Sequence, residues 1–274
     1  MTSPDGQSVR AELQYVQPPA DRLFSYTYEP PPGRPLSNAV SDPVKVAIKD
    51  ARPIRAALTL DHEGFTLVRH RSAVADFHDD AQVATTGHAE AARIVEAATG
   101  ASRVVVFDHT WRRRSTGKAD QAPAGARPQA TRVHNDYTEA SGPQRVRDLM
   151  GDEAQALLQK RFAFINVWRP IIHPANDWPL AVCDARSVEP EQLAATELIY
   201  PDRSGEVFAA IHNPAHRWFY FPDMQLDEVM LIKCYDSRRD VARFTLHTAF
   251  ADPKTPADAP PRESMEFRTI AFFD

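Results

Sequence analysis

His134-Asn135-Asp136 sets an imidazole and a carboxylate two positions apart. On a β-strand alternate residues share a face, so both groups would converge on one point. Two imidazoles and one carboxylate form the facial donor set of non-haem Fe(II) centres, which leaves three coordination positions open. The second imidazole must then come from a distant strand. Two of the ten histidines are candidates. His216 stands in the aromatic run His216-Arg217-Trp218-Phe219-Tyr220, but two further strands follow it, which is early for a distal ligand. His247, in Arg243-Phe244-Thr245-Leu246-His247-Thr248, lies just before the final strand and is preferred. A proline-rich loop then leads to Arg262-Glu263-Ser264-Met265-Glu266-Phe267-Arg268. A guanidinium fork pairs with a carboxylate bidentately. Arg262 and Ser264 make an arginine-and-hydroxyl pair for such a ligand, and Arg268 shares their strand face by parity and competes with Arg262.

These residues need a scaffold of strands. The chain has 274 residues, of which 43% are hydrophobic and 25% charged, so it can bury a sizeable core. With 23 prolines against 10 glycines, a helical bundle is excluded in favour of strands and long loops. Short strands are expected at 44–48, 54–60, 66–69, 104–107, 130–136, 162–169, 180–184, 206–212, 218–221, 228–235, 243–250 and 265–273. A helix is expected at 88–98, where Ala91, Ile94 and Val95 share a face and Gly100 follows. Another is expected at 144–160, with a break at Gly151. Residues 113–131 read as a loop, and the basic run Trp111-Arg112-Arg113-Arg114 as solvated surface. Residues 1–45, with Pro30-Pro31-Pro32-Gly33-Arg34-Pro35, read as an extended N-terminal arm before a single domain over 46–274.

Other chemistries find no support. There is no dinucleotide fingerprint, P-loop, nucleophile elbow or His-Glu-x-x-His. A net charge of -5 disfavours nucleic acid. No apolar run approaches a membrane span, and the first residues lack a signal-peptide pattern. The two cysteines, Cys183 and Cys234, are far apart in sequence, which suits a reducing compartment. A cytoplasmic protein with a small-molecule substrate is expected, and the arm leaves room for a homodimer.

Arg132-Val133-His134-Asn135-Asp136-Tyr137-Thr138, Asn166-Val167-Trp168-Arg169-Pro170, Pro179-Leu180-Ala181-Val182-Cys183-Asp184, His216-Arg217-Trp218-Phe219-Tyr220-Phe221 and the tail from His247 to Arg268 together resemble one family. It is the AsaB-type hydroxylase/desaturase group, which includes gibberellin-desaturase-like proteins and the cephamycin methoxylation component. The resemblance runs from about Val104 to the C-terminus. It implies an α+β, mainly β fold: a double-stranded β-helix (jelly-roll, cupin-like) core with flanking helices. It also implies an Fe(II)- and 2-oxoglutarate-dependent oxygenase that uses dioxygen to hydroxylate or desaturate a small organic molecule of specialised metabolism. Carried over by position, His134, Asp136 and His247 are the metal ligands. Arg262 or Arg268, with Ser264, meets 2-oxoglutarate. Asn166 and Arg169 line the co-substrate or substrate pocket. Tyr137, Trp168, His216, Trp218 and Tyr220 are candidate substrate-pocket residues, with ordinary core packing as the competing role for the large aromatics. The loop between His247 and Arg262 is longer than in plant members of the wider superfamily, which leaves the choice of arginine open. A partner-dependent small-molecule-binding subunit and a 2-oxoglutarate-independent metal oxygenase are the alternative readings.

Overall fold

The computed structural model describes residues 8–114 and 125–274. Among these, the first strands are β1 (Ser8–Val16), β2 (Leu23–Tyr26), β3 (Ser41–Asp50), β4 (Phe65–Arg69) and β5 (Arg103–Arg113). Next come β6 (His134–Asn135), β7 (Phe162–Pro170), β8 (Leu180–Cys183), β9 (Leu193–Ile199) and β10 (Ser204–Ala210). The last are β11 (Trp218–Tyr220), β12 (Glu228–Asp236), β13 (His247–Ala249) and β14 (Glu263–Phe272). They form a nine-stranded sheet, β1-β3-β11-β8-β13-β6-β10-β9-β2, and a five-stranded sheet, β4-β12-β7-β14-β5. The two sheets pack face to face as a mainly β, jelly-roll sandwich.

Phe164, Trp168, Met230, Ile232 and Ile270 of the smaller sheet meet Val182 and Phe221 from the larger one. The smaller sheet is covered on its other face as well, where Ile165, Val167, Leu231 and Phe267 pack against Ala91, Ile94 and Val95. That cover is the helix His88–Thr99, built on the helical spacing of its apolar residues. It ends at Gly100, whose φ of 71° is the left-handed cap conformation and whose N–H donates to the Glu96 carbonyl at 2.8 Å. With both faces covered, β7 and β12 are buried at every position. The second expected helix runs over Ser141–Met150 and breaks at Gly151, which has φ 52°.

The expected N-terminal arm is part of the large sheet, and its boundary at 45/46 falls inside β3. Val9, Ala11, Leu13 and Tyr15 alternate inward along β1, which pairs antiparallel with β3. The free side of β1 then reaches back across the sheet. The Val133 N–H donates to the Gln14 carbonyl at 2.8 Å, and Val16 bridges Ile211. This encloses a second core of Tyr15, Ile48, Val133, Ala181, Trp218, Tyr220 and Leu246. The strand expected at 54–60 is instead a short 3-10 turn, Arg52–Ala57, with Pro53 in its first turn and the Arg52 N–H bound to Asp50 at 2.8 Å. The basic run 111–114 is not a solvated loop. Its first three residues finish β5, and Arg114 pairs with Asp177 at 2.5 Å. Residues 115–124, the middle of the loop expected at 113–131, lie outside the described residues.

Candidate metal centre

Strand pairing brings the two histidines together. His134 of β6 lies directly across from His247 of β13, and β8 and β10 flank them through Val182 and Ala209. The ring centroids are 4.4 Å apart. Asp136, just past the end of β6, completes the group, and ligand atoms of all three side chains lie within 4.8 Å of one another.

The backbone fixes both tautomers in the same way. The Nδ1 of His134 bonds to the Arg132 carbonyl at 2.8 Å, and that of His247 to the Thr245 carbonyl at 2.9 Å. Each carbonyl takes the proton of Nδ1, so the lone pair falls on Nε2. The Nε2 of His247 is buried and has no hydrogen-bond partner, while that of His134 sits 3.5 Å from Asp136. Burial, with the neighbouring His247 adding to it, pushes the His134 imidazole down to about 4, so it is neutral and able to ligate at pH 7.

Asp136 is held ionised. Burial opposes its charge, but Arg268 foremost, with the Asn166 amide, outweighs that and keeps the carboxyl well below the usual range. Asn166 donates to its Oδ2 at 2.5 Å, and the Arg268 Nε is 3.9 Å away.

Thr245 positions His247, and Gly64 makes room for Thr245. Gly64 has φ 87°, and a β-carbon there would meet Thr245 Oγ1 at 2.1 Å. The Thr245 hydroxyl donates to the Gly64 carbonyl at 3.1 Å.

Beside the histidines lies a narrow cavity lined by Arg112, Trp168, His134, His247, Arg262 and Glu266. Arg262 is 1% exposed, and its guanidinium lies over the Trp168 ring at 5.3 Å. It bonds to the Trp178 carbonyl, but its Nε has no partner, and among the described residues no carboxylate reaches the guanidinium. Asp177 bonds the backbone N–H of Arg262 instead, at 3.1 Å. Burial and then the Arg112 guanidinium pull Arg262 down to about 9. A buried cation without a counter-ion is costly unless a ligand supplies one. Ser264, two residues along the chain, is 1% exposed and its hydroxyl has no partner. These orphaned donors fit the far carboxylate of a keto acid held at the metal.

Arg268 differs from Arg262 in having carboxylate partners: it pairs with Asp108 and Glu266, each at 2.9 Å, while its Nε, like that of Arg262, has no hydrogen bond. Asn166 supports Asp136 rather than lining a pocket. Tyr137 stacks on Phe164 at 4.1 Å and lines a second cavity, on the Asp136 side. Trp168 belongs to the cavity under Arg262.

Four expected site residues lie elsewhere. Arg169 points to the outer face of the small sheet, over Phe77, and bonds to the Leu226 carbonyl at 2.5 Å. His216, Trp218 and Tyr220 sit in the second core, where His216 bonds Tyr15 and Gln192. Strand alternation puts Phe219, rather than Trp218 or Tyr220, on the sheet's inner face. Arg112, in the basic run expected at the solvated surface, lines the cavity beside the histidines instead.

A family model described as Oxidoreductase/YMDC permease-like domain matches residues 13–272. The Fe(II)/2-oxoglutarate-dependent dioxygenase nvfI of Aspergillus novofumigatus is 35% identical, over 96% of this chain and 96% of its own. The hydroxylase/desaturase asaB of Aspergillus flavus is 42% identical over 44% of this chain and 60% of its own. The chain belongs to the AsaB-type hydroxylase/desaturase family. Its fold agrees with a solved member, the iron and alpha-ketoglutarate-dependent endoperoxidase NvfI. The TM-score is 0.89 at 32% identity, covering 97% of this chain and 98% of that one. No helix of the described residues of this AsaB-type chain is long and apolar enough to cross a membrane.

Proposed function

We propose that this AsaB-type protein is an Fe(II)/2-oxoglutarate-dependent dioxygenase that hydroxylates or desaturates a small organic molecule of specialised metabolism. The observation that carries the reading is a His-Asp-His set beside a buried guanidinium that has no carboxylate partner among the described residues. In this reading His134, Asp136 and His247 hold the iron. Arg262 and Ser264 receive the far carboxylate of 2-oxoglutarate, and Trp168 supplies the flat wall beneath Arg262. Asn166 and Arg268 keep Asp136 oriented and ionised. Bound iron and 2-oxoglutarate supply the activation of dioxygen, with decarboxylation to succinate coupled to oxidation of the substrate. The chain holds His134 neutral, fixes the lone pairs of both imidazoles on Nε2 and shields the site from water.

The test is anaerobic titration with Fe(II) and 2-oxoglutarate, watching for the visible charge-transfer band. A band that appears in the wild type and is lost in His134→Ala and His247→Ala is expected. No band, or oxygen consumption without succinate, overturns the reading. Cys183 and Cys234 are buried and unpaired, which supports a cytoplasmic setting. The proposed partner is a small molecule, with no role for nucleic acid or membrane.

A further inference from the structure

The second cavity meets the metal centre at Asp136. It encloses about 160 Å³, and Asp136, Tyr137 and Arg268 contribute to its wall. The opposite walls come from β5, from the helix Ser141–Met150 and from the β9–β10 hairpin. Phe107, Tyr137, Leu198 and Val207 make part of this lining apolar, enough for a compact carbon skeleton.

Most polar groups in this wall are already matched. Arg268 pairs with Asp108 and Glu266, and Asp136 takes the Asn166 amide. Glu206 takes Arg22 at 2.9 Å and the Thr138 hydroxyl at 2.5 Å. Asp148 takes the Gln144 amide at 2.8 Å. Two cations are different. Arg145 is half-buried, and its guanidinium lies over the Phe107 ring at 5.1 Å. Arg203, at the exposed rim, lies over Tyr200 at 3.8 Å. Among the described residues neither has a carboxylate within ion-pair distance. An aromatic face holds each plane in place while leaving the N–H edges of the fork free. A guanidinium held this way beside an apolar cavity is arranged for an anionic oxygen pair.

We propose that the substrate of this oxygenase is a largely apolar molecule bearing a carboxylate, which Arg145 reads inside the cavity and Arg203 meets at the rim. The proposal rests on the dioxygenase reading above and adds the substrate class to it. It also assigns direction: the acid end lies against the helix Ser141–Met150, and the carbon skeleton lies towards Asp136.

The test uses 3-phenylpropanoate and its uncharged primary amide as probes, measured by titration calorimetry under nitrogen with Fe(II) and 2-oxoglutarate saturating. The acid is expected to bind at least about tenfold more tightly than the amide, as for a charge-assisted hydrogen bond. That preference is expected to vanish in Arg145→Gln, return in part in Arg145→Lys, fall about threefold in Arg203→Gln and persist in Arg262→Gln. Three outcomes overturn the proposal: equal binding of acid and amide, a preference lost in Arg262→Gln but kept in Arg145→Gln, or no saturable binding of the acid by about 10 mM. The charge-transfer band of the wild type, recorded in the same samples, separates failure of this inference from failure of the dioxygenase reading.

Discussion

Two buried histidine clusters occupy opposite faces of the nine-stranded sheet, and they differ in how their ring nitrogens are used. On the outer face, Trp218 Nε1 donates to the Tyr15 hydroxyl at 2.7 Å, Tyr15 meets the Nδ1 of His216 at 3.2 Å, and the Nε2 of His216 meets Gln192 at 2.7 Å. Trp218 Nε1, the Tyr15 hydroxyl and both ring nitrogens of His216 all have partners. On the inner face, His134 and His247 satisfy only Nδ1, and the Nε2 of His247 is buried with nothing to bond. A fully bonded imidazole stabilises the fold, and one with a buried, idle lone pair is arranged for a ligand. Burial and aromatic neighbours, which the two clusters share, do not distinguish them.

Exchanging the damage between the clusters breaks or sustains this contrast, and it gives the largest expected effect. His247→Ala should remove iron binding and turnover and leave the melting temperature of the metal-free protein nearly unchanged. His216→Ala should retain iron binding but lose about 1–3 kcal/mol of stability, because Tyr15 and Gln192 lose a buried partner. Iron titration and denaturant unfolding of both variants check the pair. Arg262→Met comes next. Its KM for 2-oxoglutarate should rise at least about 30-fold, equivalent to about 2 kcal/mol. The metal-free protein should become more stable by about 1 kcal/mol or more, since an uncompensated buried charge is gone. A variant that loses stability would mean that Arg262 is a structural cation.

Gly64→Ala should act at a distance. The added β-carbon pushes against Thr245, whose carbonyl orients His247, so iron affinity should fall about tenfold. Stability should fall by roughly 1–3 kcal/mol from the strained φ. The smallest effect is on pH dependence. Burial, and then His212, push His216 down to about 4, below the unfolded value of about 6.5. Between these values the unfolded chain takes up a proton that the folded chain refuses. Stability of the metal-free protein should therefore decline as pH falls from about 6.5 to about 4. His216→Gln should flatten that decline in urea unfolding measured at several pH values.

The contrast also explains what was legible in the sequence. The pairing of His134 with Asp136 follows from strand periodicity over three residues, and Gly100 marks a helix end without help from the rest of the fold. His247 and Arg262 could be placed by their order before and on the last strand. The faces of Trp218 and Tyr220 were not legible, because Trp218-Phe219-Tyr220 is aromatic throughout and carries no polar alternation. The same holds for Trp168 and Arg169 on β7, which is buried on both sides. Val9, Ala11, Leu13 and Tyr15 did alternate along β1, but the prolines at 30–35 drew the whole segment towards an arm. β9, rich in residues that also favour helices, offered no contrast with its surroundings.

The pairing of β6 with β13 also has a consequence during synthesis. Its histidines are neighbours across a ladder yet lie far apart along the chain, so their meeting belongs to the slow, non-local part of folding. A nascent chain emerging from the ribosome carries His134 and Asp136 long before His247. Until β13 docks, only two of the three ligands are present, and a metal ion captured early would be weakly held. β13 is the last strand of the nine-stranded sheet to be made, so completion of the centre coincides with closure of that sheet, and iron loading reports it.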